Sequence, residues 1–236
     1  MYVLSEESPV LLLLRILFYV KLEVDKNVIS GDKRRYRLCA YLVNLLFYCF
    51  KFTDGKINIC CFLEASSDLI KLVGRLGKVF APVKYDMQGN IDKIKLHYNY
   101  DKDSCLLDLM LEEHSNGKHT AAEGVLWLNR ALLFFELVFH EIVICLQGKN
   151  YDEDMKKVFT IAYEGSVKKY HSWVTQQLFA LICKMSPTLP QIMESFEVEN
   201  NEAFEARLVS FNTTLYSVRR KIDDFFKEHN MLQDSM

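Results

Sequence analysis

The stretch Thr120–Gln147 constrains this chain most. It reads as one long helix, apolar on nearly every side, and such a helix must be covered all round by neighbours. A fold built on it therefore places it centrally. Residues 59–80 offer one cover: Phe62, Leu63, Leu69, Ile70, Val73, Leu76 and Phe80 recur at helical spacing, until Ala81-Pro82 closes or kinks the helix. Asn201–Glu228 offers another, with Phe204, Leu208, Phe211, Leu215, Val218, Ile222 and Phe226 in one stripe. Residues 83–98, 103–113 and 154–185 also read as helices, ended by Asn116-Gly117 and Ser186-Pro187 in the last two cases. Thr120 stands where a cap belongs, with Glu123 at the capping-box spacing. No Val/Ile/Thr-rich run bounded by turn residues reads as a strand. The pattern implies an all-α domain.

Composition narrows the function. Half the chain is hydrophobic and 13% is aromatic, which excludes disorder. A net charge of −2 argues against a nucleic-acid partner, which needs a basic patch. The seven cysteines (39, 49, 60, 61, 105, 145 and 183) show no CxxC and no paired spacing, so they read as reduced core residues. His140-Glu141 lacks a second His for a zincin helix, and His114 and His119 fall in a polar, Gly-containing loop stretch. No phosphate-binding loop, dinucleotide fingerprint or nucleophile elbow is present. The acidic pairs Asp152/Asp154 and Asp223/Asp224 look like surface charge. The chain reads as a non-enzyme without cofactor or metal.

The N-terminus holds two further apolar runs. Residues 10–20 are interrupted by Arg15, and residues 38–50 follow Lys33-Arg34-Arg35-Tyr36-Arg37 and contain Asn44. Each is shorter than the ~20 residues a bilayer requires. Glu6 and Glu7 stand where a secretory signal would carry positive charge. Residues 38–50 read as a core helix and residues 1–37 as an extension of uncertain fate, ahead of a domain over 38–232. An N-terminal anchor is the less favoured reading.

Three places have the residue types of a binding site. Asp86, Asn90 and Lys93 lie at i, i+4 and i+7, on one helix face. Carboxylate, amide and ammonium together suit a polyhydroxylated or amide-bearing ligand; a solvated face would show the same spacing. Trp127 sits in Leu126-Trp127-Leu128-Asn129-Arg130, inside the most apolar helix. It is either core or a platform for a sugar ring. His171 sits in Lys169-Tyr170-His171-Ser172-Trp173, and Trp173 beside those lysines suits a membrane interface.

In their order along the chain, these segments resemble the glycolipid transfer protein family. The resemblance begins at Phe62-Leu63-Glu64-Ala65 and Leu76-Gly77-Lys78-Val79-Phe80. It runs through Pro82-Val83-Lys84-Tyr85-Asp86-Met87-Gln88-Gly89-Asn90-Ile91-Asp92-Lys93-Ile94, and recurs around Trp127 and His171. It implies a two-layer sandwich of about eight helices enclosing a tunnel for lipid chains. It further implies headgroup binding by Asp86, Asn90, Lys93, Trp127 and Arg130, and ceramide-amide binding by His171 and Asp86. Trp173 is the implied membrane contact. The implied function is non-vesicular carriage of a sphingolipid by a cytosolic protein that touches membranes transiently. Asn90 and Trp127 favour a glycosphingolipid; Lys93 and Arg130 keep a ceramide-1-phosphate carrier as the alternative, and a tethered lipid sensor is a further one.

Overall fold

The computed structural model describes residues 52–53 and 55–231. The expected extension 1–37, the run 38–50, Cys39 and Cys49 lie outside the described residues. So does the boundary at residue 38.

The described chain opens with a short antiparallel ribbon, β1 (Phe52–Thr53) against β2 (Lys56–Ile57), too short to register as strands in the sequence. Helix α1 (Ile59–Val73) follows, capped by Asn58, whose side chain accepts from the Cys61 N–H. The stripe of Phe62, Leu63, Leu69, Ile70 and Val73 is buried as expected. The helix does not reach residue 80. It ends at Val73, and the chain turns through Gly77, whose φ of 111° favours glycine. A 3-10 turn, Lys78–Phe80, leads into α2 (Ala81–His97). Pro82 lies in the first turn of α2, where its missing N–H is no loss, so Ala81-Pro82 opens a helix rather than closing one.

Helix α3 (Leu106–Ser115) contains His114, which the sequence suggested was a loop residue, and ends before Gly117. The central helix α4 (Thr120–Gln147) has the expected bounds but not the expected cap. Its N-cap is His119, which makes no side-chain cap bond. Instead Glu113, only 9% exposed, accepts from the Ala121 and Ala122 N–H groups at 2.9 and 2.8 Å and from the Tyr98 hydroxyl at 2.9 Å. A tertiary carboxylate thus replaces the local Thr120/Glu123 box.

The expected helix over 154–185 is two helices. Asp154 caps α5 (Met155–Gly165), and Ser172 caps α6 (Trp173–Lys184), with a 3-10 turn at Lys168–Tyr170 between them. At the break Gly165 presses on α4, since a Cβ there would lie 3.1 Å from Leu137 Cδ1. A short α7 (Leu189–Ser195), opened by a Thr188/Gln191 capping box, precedes α8 (Asn201–Glu228). The apolar stripe of α8 is buried as its spacing predicts.

The eight helices pack as two layers, with α4 against α2 and α8 above all, and against α5 and α3. Toward α8 the contact combines the buried apolar stripe, where Phe139 meets Phe211 edge-on at 5.7 Å, with a polar set. Arg219 donates through Nε to Glu136 at 2.6 Å and through Nη1 to Asp223 at 2.5 Å, and Asn129 Nδ2 donates to the other Asp223 oxygen at 2.7 Å. Asp223 is therefore a structural partner rather than surface charge, while Asp224 pairs with Arg220 near the surface. Toward α1, α5 and α7 the contact is apolar and leaves a crevice of about 10 Å³, roughly one water, among Leu69, Val73, Phe135, Phe139, Phe159 and Ile192. No helix among the described residues is long and apolar enough to cross a membrane.

Candidate functional site

Helix α2 contributes the first part of the site. Asn90 is buried, and its Nδ2 donates to the Asp86 carbonyl at 3.0 Å, one turn back. This orients the amide so that its oxygen is left for another donor. Asp86 keeps access to solvent at the rim, yet burial of its carboxyl on the protein side raises it above the ordinary carboxylate range, with Lys93 opposing. Lys93 reaches Glu123 of α4 at 3.8 Å, a half-exposed pair that contributes little to stability.

Gly124 lets α4 come this close. A Cβ at that position would stand 3.0 Å from the Asn90 carbonyl oxygen and 3.2 Å from Lys93 Cβ. The α2 face is thereby seated on the first turns of α4, and Trp127, three residues after Gly124, shares that face. Asp86, Asn90 and Lys93 do lie on one helix, and that helix packs against α4 at this point.

The third part comes from the break between α5 and α6. His171 follows the 3-10 turn and is held outside any helix, with extended backbone (φ −94°, ψ 139°). Its ring lies nearly parallel to the Trp127 indole, 15° apart with centroids 6.4 Å distant. Its Nδ1 is 2.9 Å from the Tyr163 hydroxyl. Burial lowers the imidazole below its ordinary range, and burial likewise pushes the Tyr163 phenol up to about 12. Near neutral pH both groups are uncharged. When Tyr163 donates to Nδ1, the imidazole carries its proton on Nε2 as a free donor.

Arg130 completes the cluster. Its Cζ lies 3.6 Å from the centre of the Tyr170 ring and 4.6 Å from that of Trp127. Trp127 in turn meets Tyr170 edge-on at 5.9 Å. The structure thus brings Trp127, Arg130 and His171 into contact and seats the α2 residues beside them. Trp173 stands apart, at the first position of α6 and 73% exposed.

Tyr163 and Tyr170 are the members that the sequence reading missed. On one continuous helix their partners would have been out of reach; Gly165-Ser166 between Tyr163 and His171 was the available signal for the break. Tyr163 also ties the site to the interior. It stacks on Phe179 at 3.9 Å, Phe179 meets Phe134 at 5.4 Å, and Phe134 stacks on Phe159 at 6.1 Å, which lines the apolar crevice.

Comparison with known proteins agrees with this fold. The family model described as glycolipid transfer protein matches residues 57–198, which include every site residue named above. A glycolipid transfer protein of Aureobasidium melanogenum is 37% identical over 145 residues, covering 58% of this chain and 69% of the relative. The crystal structure of apo mouse ceramide-1-phosphate transfer protein superposes with a TM-score of 0.71 at 19% identity, over 83% of this chain and 98% of the other. A structure of FAPP2, a protein that selects simple glycosphingolipids with the same fold, gives 0.70 at 24% identity, over 81% of this chain and 95% of the other. With its helices, its matched span and its ordered motifs in agreement, this chain belongs to the glycolipid transfer protein family.

Proposed function

We propose that the protein carries a sphingolipid, preferentially a neutral glycosphingolipid, from one membrane to another without making or breaking a bond. One observation carries the reading: a polar face on α2, an aromatic platform on α4 and a neutral imidazole meet at one place, next to an apolar interior.

Each residue has a task that follows from its chemistry. A ceramide amide offers one donor and one acceptor, and leaving either unsatisfied when buried costs about 1–3 kcal/mol. Asp86 takes the amide N–H, and this bond offsets the desolvation that raises its carboxyl. His171 Nε2–H donates to the amide carbonyl, with Tyr163 holding the tautomer from behind. Trp127 stacks under the first sugar, whose hydroxyl groups meet Asn90 and Lys93. The lipid chains enter the apolar interior by widening the crevice between α1, α4, α5 and α7. Their burial is worth about 0.8 kcal/mol per CH₂ in water, but the bilayer they leave is equally apolar. Headgroup contacts must therefore supply the selectivity. Trp173 docks the protein on the membrane surface beside exposed Lys169.

The cation of Lys93 on the Asn90 face supports a second reading, a ceramide-1-phosphate carrier. Transfer of labelled galactosylceramide and ceramide-1-phosphate between phosphatidylcholine vesicles separates the two. Galactosylceramide is expected to move, and Trp127→Ala to stop it. Movement of the phosphate lipid alone, unaffected by Trp127→Ala, gives the second reading. Trp173→Ala is expected to slow transfer while leaving lipid binding by the free protein intact.

A further inference from the structure

We infer that Arg130 is a positioning residue for headgroup selectivity: its guanidinium stacks with Tyr170 and Trp127 and fixes the indole against the His171 turn. The inference rests on the reading of Trp127 as a sugar platform. Trp127 and Arg130 are one turn apart on α4, whereas Tyr170 ends the 3-10 turn immediately before His171. The guanidinium carbon lies 3.6 Å from one ring centre and 4.6 Å from the other, so a single side chain bridges two elements that each carry part of the site. The Trp127–Tyr170 edge contact, at 5.9 Å and 77°, closes the three-membered cluster.

A planar guanidinium can lie flat on a ring and keep its N–H edge for polar partners, which a compact ammonium cannot do. Burial works against the guanidinium charge here, and the Tyr170 oxygen and Asp223 of α8 offset part of that cost. Asp223 is itself fixed by Arg219 and Asn129. The bridge therefore links the platform to the imidazole-bearing turn, with Asp223 of the α4–α8 contact acting on it electrostatically. A cation held in this way aligns aromatic groups. Neutral-sugar selectivity then depends on a residue that the sequence alone would assign to the phosphate.

The experiment uses the full chain with Arg130→Met, Arg130→Lys, Tyr170→Leu and the Met/Leu double variant. Each is assayed for vesicle transfer of galactosylceramide and of ceramide-1-phosphate. Lipid-free proteins carrying Trp173→Phe report Trp127 emission and its quenching by acrylamide. Galactosylceramide transfer is expected to fall about tenfold in Arg130→Met, the scale of a lost desolvated cation–π contact, and equally in Arg130→Lys, which keeps the charge. Ceramide-1-phosphate transfer relative to galactosylceramide is expected to rise. Trp127 is expected to become more quenchable, and the double variant to be no worse than either single one. Wild-type galactosylceramide transfer by Arg130→Lys overturns the inference, as does selective loss of ceramide-1-phosphate transfer in Arg130→Met. If Arg130→Met does not fold, Tyr170→Leu reads the same cluster from its other side, and unchanged lipid preference there overturns the inference. A wild type that moves no galactosylceramide refutes the proposed function instead; Trp127→Ala blocking transfer while Arg130→Met and Tyr170→Leu do not refutes only the positioning role.

Discussion

The two flanks of α4 differ in what is added to their apolar contacts. Toward α8, Glu136, Arg219, Asp223 and Asn129 join in a directional set of hydrogen bonds. Toward α1, α5 and α7, only apolar groups meet around the crevice. Directional bonds fix one register and penalise any slip, because a buried charge without its partner is costly. Apolar contacts are non-directional, and a lipid chain can replace a side chain as a neighbour at little loss. The molecule thus has one flank suited to staying shut and one suited to parting. The candidate site, around Gly124, Trp127 and Arg130, lies nearer the start of α4 than the crevice does.

The largest expected effect comes from breaking the polar flank. Arg219→Ala leaves the Glu136 and Asp223 carboxylates without their shared cation and is expected to cost about 3–5 kcal/mol, measured by urea unfolding. If the loss is below that of an ordinary surface variant, the contrast between the flanks is wrong. Next is the seating of α2. Gly124→Val drives a side chain into the Asn90 carbonyl and Lys93, with an expected cost of about 1–3 kcal/mol and loss of galactosylceramide transfer. Thermal melting and the vesicle assay check the two parts separately. A smaller effect is expected on the apolar flank, where Ile192→Val widens the crevice for about 0.5–1.5 kcal/mol. Transfer of lipids with bulkier acyl chains should then gain relative to short-chain ones; an unchanged chain preference would count against the crevice as their route.

The finest test uses pH. Burial depresses the folded-state pKa of His171 below its ordinary 6.5, so the unfolded chain takes up the proton first. The stability linked to this group is complete above about pH 6.5 and is lost as pH falls from there through the depressed value. His171→Gln should flatten that part of the stability profile, as read by denaturation across pH 4 to 8 (a range of about two units either side of the unperturbed imidazole).

Helical periodicity made most of the fold legible. The bounds of α4 and α8 followed from apolar stripes long enough to average out local exceptions. Two breaks escaped, at Gly74–Gly77 and at Gly165–Ser172, because the apolar spacing continues across both. The period reports which residues face inward, not whether the backbone stays helical between them. The site divides in the same way. Asp86, Asn90 and Lys93 share one element, so their spacing placed them together. Tyr163, Tyr170 and His171 converge only because the helix is interrupted, and Arg130 meets Tyr170 across elements far apart in the chain. The cap of α4 was missed for a related reason: Glu113 reaches it from another helix.

That borrowed cap has an electrical consequence. The start of a long helix carries the positive end of its dipole and exposes N–H groups, a ready seat for a phosphate. In α4 this seat is already filled, since Glu113 occupies the Ala121 and Ala122 N–H groups and brings a full negative charge with it. The capping carboxylate partly cancels at source the field that α4 projects toward its neighbouring turns. An anionic headgroup arriving near Lys93 finds no helix end to complete its solvation, whereas an uncharged sugar loses nothing by that cancellation.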